Sequence, residues 1–204
     1  QAFQNGEDIH SRTASHVFNV PLDLVLPEMR RTAKVVNFGI MYGAGPFRMS
    51  QELGIPRIEA VAIIDSYFDQ YSGIRNYIDS TLKKARNDKY VETMLGRRRP
   101  VWDANSDNGL KRQAAERMAI NMPIQGSAAE MIKLAMCSIH NEIVAQKMKS
   151  KMVLQIHDEL LFEFPESEEE LLIKLVVNKM ENAMKLSVPL VVDYGIGENW
   201  FEAH

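Results

Sequence analysis

Cysteine is nearly absent: the 204-residue chain has one, Cys137, set in an apolar helical run. A single thiol excludes an intrachain disulfide framework and any zinc site built on cysteines, and a reducing, intracellular setting is the expectation. Long hydrophobic runs are missing as well. Nothing approaches the ~20 apolar residues that cross a bilayer, and QAFQNGEDIH at the start lacks the basic-then-apolar order of a signal peptide. The expectation is a cytoplasmic protein with no membrane partner. Neither sign of charge dominates, with 24 Lys and Arg against 27 Asp and Glu, net −3. Aromatics make up only 8%, yet 46% of residues are hydrophobic and 25% charged, an ordinary globular composition that excludes disordered and collagen-like chains. No repeat, low-complexity tract or Ser/Gly linker marks a domain boundary. An initiating Met is lacking too, and a chain that starts within a helical region reads as a fragment of something longer.

The near-neutral total hides an asymmetry. Residues 83–117 carry ten Lys and Arg against five acids, net +5, and residues 158–202 carry eleven acids against three lysines, net −8. A basic middle suits a polyanion or polyphosphate, and two solvated faces of opposite sign are the plain alternative.

Most of the chain has helical patterning. Helices are expected from Asp8 to about Asn19, from Leu26-Pro27 to Tyr42-Gly43, from Pro46 to Leu53, and in two stretches after Pro56 separated by Ser72-Gly73. Tyr90–Met94 and Arg98–Trp102 flank a hairpin turn at Leu95-Gly96-Arg97. Residues 108–145 are again helical, with a kink or break expected at Pro123. Strands are expected at 151–156 and 160–164 around the polar link His157-Asp158-Glu159, then a helix from Ser167 to Leu186 and a last strand at 190–194. Few strands among long helices give an α+β fold with an antiparallel sheet.

Arg30, Lys34, Phe38 and Tyr42 recur every four residues. Four residues turn a helix by ~400°, so the four side chains stay on one side. Two cations followed by two flat rings suit a triphosphate followed by its sugar and base. A solvated cation pair and core aromatics are the alternatives at that spacing.

RRTAKVVNFGIMYG resembles motif B, the fingers "O helix", of family A DNA polymerases, the DNA polymerase I class. The resemblance implies that Arg30 and Lys34 meet the triphosphate of an incoming dNTP, that Phe38 packs on its sugar and base, and that Tyr42 lies at the templating position. It also puts His10, in GEDIHSRTAS, close to that nucleotide. Gly39 and Gly43 are the residues that would permit close approach and a flexible end. Arg97, Arg98 and Arg99 match a family loop that would meet the template backbone, with a solvated basic hairpin as the plain alternative.

Arg117, Asn121 and Gln125 also step by four, and their donors suit minor-groove acceptors that every base pair shares. Amides on a helix otherwise simply meet water. ERMAINMPIQGSAAEMIK is similar to the family helix that tracks primer–template DNA, which makes these three DNA contacts, with Pro123 at the family's break. VLQIHDELLFEF looks like motif C. By that resemblance Asp158 is the metal ligand, Asp158, Glu159 and Lys34 form the catalytic set, and His157 touches the DNA primer end. An acidic turn that holds no ion is the plain alternative.

Taken together, the chain is expected to hold a partial polymerase domain, with fingers at about 8–105 and C-terminal palm at about 106–204. Motif A, thumb and exonuclease regions are expected to be absent. The implied activity is template-directed DNA synthesis in replication and repair, using primer-template DNA, dNTPs and two Mg²⁺ ions, in a monomeric, nucleoid-associated bacterial parent. The fragment alone is expected to be inactive, since one aspartate cannot build a two-ion clamp. A binding module that has lost chemistry and a metal nuclease built on Asp158 and Glu159 are the rival readings.

Overall fold

The computed structural model describes residues 2–203. It separates into two compact units, Gln1–Gly126 and Ser127–His204.

The first unit begins with helix α1 (Ile9–Phe18), capped by Asp8, whose carboxylate accepts the His10 amide at 3.0 Å. Asn19 in the left-handed region ends it. Helix α2 (Pro27–Met41) starts on a proline, whose missing N–H is no loss at that position, and carries Glu28 in its first turn. Helices α3 (Pro46–Leu53), α4 (Arg57–Gln70) and α5 (Ser72–Asp88) follow where expected. α1 packs on α2 and α4, and α3 packs on α2 and α4. Val36, Ile40, Met49, Ala60 and Tyr67 form the buried centre of this group. Strands β1 (Tyr90–Glu92) and β2 (Arg98–Pro100) pair antiparallel and are shorter than expected, β1 because the Thr93 carbonyl accepts the Gly96 amide of the turn and β2 because Trp102 already belongs to a 3₁₀ turn. A second apolar cluster of Ala85, Val91, Val101, Ala104 and Ala119 lies beneath them.

Helix α6 (Gly109–Ala145) runs without interruption through Pro123, so the expected break is not present. A proline at 123 removes one intrahelical donor and disturbs the carbonyls one turn earlier. The donor it removes is the one that would reach the Ala119 carbonyl, and the neighbouring Ile120 carbonyl accepts the Tyr77 hydroxyl at 2.8 Å. A side chain from α5 is thus bonded to the backbone of α6 within the turn that holds the proline.

In the second unit, β3 (Lys151–Ile156) and β4 (Glu159–Glu163) form an antiparallel hairpin with a register shift between Met152 and Leu154. Glu159 is paired with Ile156, so the link is the two residues His157-Asp158 and not three. Helix α7 (Glu169–Glu181) covers the hairpin, and Ala135, Ile139, Ile143, Leu172 and Leu175 form the core with Met152, Leu160 and Phe162 against it.

The helix expected from Ser167 starts later and ends earlier. The Glu168 carboxylate accepts the amides of Lys149 and Ser150 at 2.8 Å and the Ser150 hydroxyl at 2.6 Å, which draws residues 166–168 into a 3₁₀ turn. These donors hold the Glu168 carboxyl below the usual carboxylate range, the Lys149 amide foremost. At the other end Asn182 donates to the Asn178 carbonyl at 2.8 Å and closes the helix. The strand expected at 190–194 is irregular. A strand exists through its ladder, and no neighbour pairs with this segment among the described residues, leaving Val191 76% exposed. α8 (Trp200–Ala203) is a single turn. No described helix is long and apolar enough to cross a membrane.

Tyr77→Phe tests this bond. Losing the hydroxyl removes one hydrogen bond to the Ile120 carbonyl and should cost about 1 kcal/mol in urea unfolding with an unchanged slope. A variant as stable as the parent would show that the carbonyl finds another donor.

Candidate nucleotide and nucleic-acid site

Helix α2 divides into two faces. Ala33, Val36, Asn37, Gly39 and Ile40 are buried, whereas Arg30, Lys34, Phe38 and Tyr42 are all exposed. Gly39 is closely packed: a Cβ there would lie 2.9 Å from Met49 Cε, the end of a flexible side chain that would have to shift. Gly43 follows the helix end at φ +72°, a left-handed conformation that suits glycine. A Cβ on Gly43 would lie 3.2 Å from Arg117 Cγ and 3.5 Å from Ile120 Cδ1. The start of the amide-bearing face of α6 therefore lies against the aromatic end of α2.

The stripe is outward-facing. Phe38 is 45% exposed and Tyr42 41%, with their rings 6.0 Å apart and 16° from parallel. Core aromatics would be sealed. The His10 ring lies 5.7 Å from Phe38, so α1 contributes a third ring to the same surface. Lys34 makes no ion pair among the described residues. Arg30 does: its Nε donates to Asp8 at 2.5 Å, which leaves the terminal nitrogens of the fork. Arg30 foremost, with Ser11 and the His10 amide, holds the Asp8 carboxyl far below its usual range. Burial lowers His10 from its usual value, helped by Arg30 and Lys34 and opposed by Asp8.

On α6, Arg117 and Gln125 are exposed and Asn121 is half-buried with its Oδ1 lacking a partner. Of the basic hairpin, Arg98 pairs with Glu92 at 3.3 Å and lies 4.5 Å over the Tyr90 ring, and Arg99 Nε is 3.1 Å from Met118 Sδ. Lys84 also pairs with Glu92.

The second unit carries the acidic part of the expected set. His157, at φ +52°, and Asp158 form the exposed turn of the β3–β4 hairpin, and Glu159 opens β4. A left-handed histidine costs roughly 1–2 kcal/mol, and its carbonyl accepts Gln155 Nε2 at 2.6 Å in partial return. Among the described residues no group of three or more His, Cys, Asp or Glu side chains converges as a metal site.

The family model for DNA polymerase family A matches residues 1–202. The chain belongs to that family. DNA polymerase I, thermostable, of Thermus thermophilus is 49% identical over 203 residues, and DNA polymerase I of Bacillus subtilis is 46% identical over 203 residues. Each alignment takes in 100% of this chain but 24% and 23% of those proteins, so the chain spans about a quarter of the curated relatives it matches. A solved structure described as the POL domain of Pol1 from M. smegmatis in complex with DNA primer-template and dNTP matches at a TM-score of 0.95 and 45% identity. That match covers 99% of this chain and 36% of the other. The helix-rich α+β fold is thus that of a family A polymerase fragment.

Two residues of this surface escaped the sequence reading. Asp8 anchors Arg30, and its signal was a capping position two residues before His10. Asn37 is bonded to His10, and its signal was an amide on the apolar face of α2.

Because Asp8 is depressed in the folded state, its contribution to stability is present above the ordinary aspartate value of about 3.9 and is lost as pH falls below it. The melting temperature of Asp8→Asn should therefore lie below the parent's at pH 7, and the gap should close as both are acidified below about pH 4. A gap that does not narrow in acid would show that the charge of Asp8 contributes nothing to the difference.

Proposed function

We propose that this chain supplies the nucleotide-binding face, a primer-template contact and a metal-binding aspartate of a bacterial DNA-directed DNA polymerase of the DNA polymerase I class. The observation that carries the reading is the solvent-facing row of Arg30, Lys34, Phe38 and Tyr42 on one helix, on a fold shared with a polymerase domain whose solved complex holds primer-template and dNTP. Residues 8–105 then correspond to fingers and 106–204 to C-terminal palm.

In this reading Lys34 and the free nitrogens of Arg30 hold the triphosphate, and charge grows on those oxygens as the bond to the leaving pyrophosphate breaks. Cations already positioned there lower the barrier without reorganising. Phe38 lies against the sugar and base, Tyr42 faces the templating position, and His10 donates to the nucleotide beside them. Arg117, Asn121 and Gln125 read minor-groove acceptors without preference for sequence, while His157 meets the primer end.

Asp158 and Glu159 are hard oxygen donors of the kind Mg²⁺ takes, one or two per ion with phosphates and waters completing the shell. They fit a share of such a site and not the whole of it, because no third carboxylate or imidazole converges with them among the described residues. Bound Mg²⁺ supplies activation of the primer 3′-hydroxyl and neutralises triphosphate charge. Asp158 is the residue of this chain that holds it, on a turn fixed by the strand pairing of Ile156 with Glu159. Glu159 supports it, and the 204-residue chain by itself should incorporate no dNTP. Soluble, monomeric action in the cytoplasm at the nucleoid completes the reading.

Phe38→Ala in the full-length polymerase separates binding from packing. An exposed ring removed from a surface should change stability by no more than about 0.5 kcal/mol, while dNTP use falls sharply. Large destabilisation with normal dNTP use would return Phe38 to the core.

Lys34→Ala should lose ~2–4 kcal/mol of transition-state stabilisation, roughly 30- to 1,000-fold in kcat/KM for dNTP, with DNA affinity little changed. Asp158→Ala should abolish extension while leaving DNA binding, because phosphate contacts dominate that affinity. Turnover retained in Asp158→Ala would make Asp158 an ordinary turn residue.

A further inference from the structure

Behind the stripe runs a chain of polar side chains that the proposed nucleotide chemistry does not use directly. Thr13, fully buried on α1, donates its hydroxyl hydrogen to Asn37 Oδ1 at 3.1 Å. A threonine hydroxyl has one hydrogen. The Tyr71 hydroxyl, 3.1 Å from the same Thr13 oxygen, is therefore the donor in that pair. With its oxygen committed to Thr13, Asn37 directs Nδ2 at His10 Nδ1, 2.9 Å away. An amide N–H can only donate, so Nδ1 of His10 accepts and its proton resides on Nε2. The direction of every bond follows from the one before it.

We propose that the Tyr71–Thr13–Asn37 relay is a positioning device that fixes His10 as the neutral Nε2–H tautomer, and that Asn37 is thereby a specificity-determining residue of the nucleotide surface. With Nδ1 occupied, Nε2–H is the ring nitrogen left to meet a ligand, and it meets the ligand as a donor. Oxygens of a triphosphate accept. The other tautomer would present a lone pair to them. The inference rests on the nucleotide reading for its consequence and on geometry alone for its structure.

The charged groups that face His10 are Asp8 on the α1 cap and Arg30 and Lys34 on α2. The two cations oppose a positive imidazole and Asp8 favours one. Burial works with the cations, so the neutral ring that the relay requires is also the one its surroundings favour.

Asn37→Asp is the informative variant because it keeps shape and the bond from Thr13. A carboxylate at 37 can only accept, so it demands Nδ1–H from His10. With ¹⁵N-labelled imidazoles and only five histidines in the chain, ring nitrogen shifts report each tautomer directly. The parent should show His10 protonated on Nε2 with Nδ1 bare. In Asn37→Asp, Nδ1 should carry a proton, and the His10 titration midpoint should rise by about 1–3 pH units. Thr13→Val should mix the two tautomers by freeing the amide to turn over, and Thr13→Ser should restore the parent's single form. A parent His10 protonated on Nδ1, or an Asn37→Asp tautomer identical to the parent's, would overturn the relay.

A second measurement reads the consequence in the full-length polymerase. For the parent, dNTP KM should be flat from pH 7 to pH 9 as far as His10 is concerned. For Asn37→Asp, KM should climb about tenfold across that range as the cationic ring loses its Nε2 proton, the size expected for one lost hydrogen bond to a charged group. A KM for Asn37→Asp as flat as the parent's would overturn the role in specificity. Absence of dNTP binding by the unmodified protein would instead sink the reading of the stripe, and the tautomer measurement would still stand by itself.

Discussion

Everything on the exposed stripe of Arg30, Lys34, Phe38 and Tyr42 depends on how α2 is divided between core and solvent. A helix turns by ~100° per residue, so positions 33, 36, 37 and 40 fall on one side and 30, 34, 38 and 42 on the other. Val36 and Ile40 are sealed against Met49, Ala60 and Tyr67, which fixes the rotation of the helix about its own axis. Once that rotation is fixed, Phe38 and Tyr42 have no choice but to face outward. Two aromatic rings left nearly half exposed are a cost that apolar burial does not recover within this unit. Burial of one face by small and branched residues thus leaves the other face to solvent, and Met49 of α3 packs close over Gly39.

How far the sequence announced this differs from element to element. The stripe was legible because a fixed spacing of four is a property of the helix itself and needs no knowledge of the fold. Helix ends were legible where local chemistry sets them, as at Asp8, Pro27, Pro46 and Gly54. They were illegible where a distant group intervenes: Glu168 reaches back to Lys149 and Ser150, and this long-range bond moves the start of α7. Pro123 was read as a break, yet α6 continues through it, and Tyr77 reaches in from α5 to the Ile120 carbonyl, 43 residues away in sequence. The segment 190–194 has strand composition, but composition cannot supply the neighbour that a strand requires. Whether Phe38 and Tyr42 are core or surface also lay beyond pattern. Spacing gave their common face, and only packing gave its direction.

The hairpin of the second unit obeys a different constraint. Direct pairing of Ile156 with Glu159 leaves two residues to turn the chain, and one of them, His157, takes a conformation that histidine rarely adopts. Glycine or asparagine would turn more easily at this position. Strain of this kind persists only when surrounding structure enforces it, and here the ladder on both sides does so. The effect is that the backbone of Asp158 stands at a point defined by strand geometry. A carboxylate held in this way loses less entropy on capturing an ion than one on a loose loop. Rigidity and the tolerance of an unfavourable residue are two expressions of one tight turn.

A similar exchange takes place behind the stripe. Thr13 and Asn37 lie within a core whose other members are apolar, and an apolar pair of the same shape would avoid the cost of burying three polar heads. Each head nevertheless has its partner, so the burial is tolerable, and the partners can be arranged in few ways. A hydrophobic replacement would hold α1 against α2 as firmly but would leave the His10 ring free to choose its proton. What the polar core adds is direction: one hydrogen on Thr13 orients the amide, and the amide orients the imidazole. The polarity of a surface group is in this way decided two residues deeper, inside the packing that also aims the stripe.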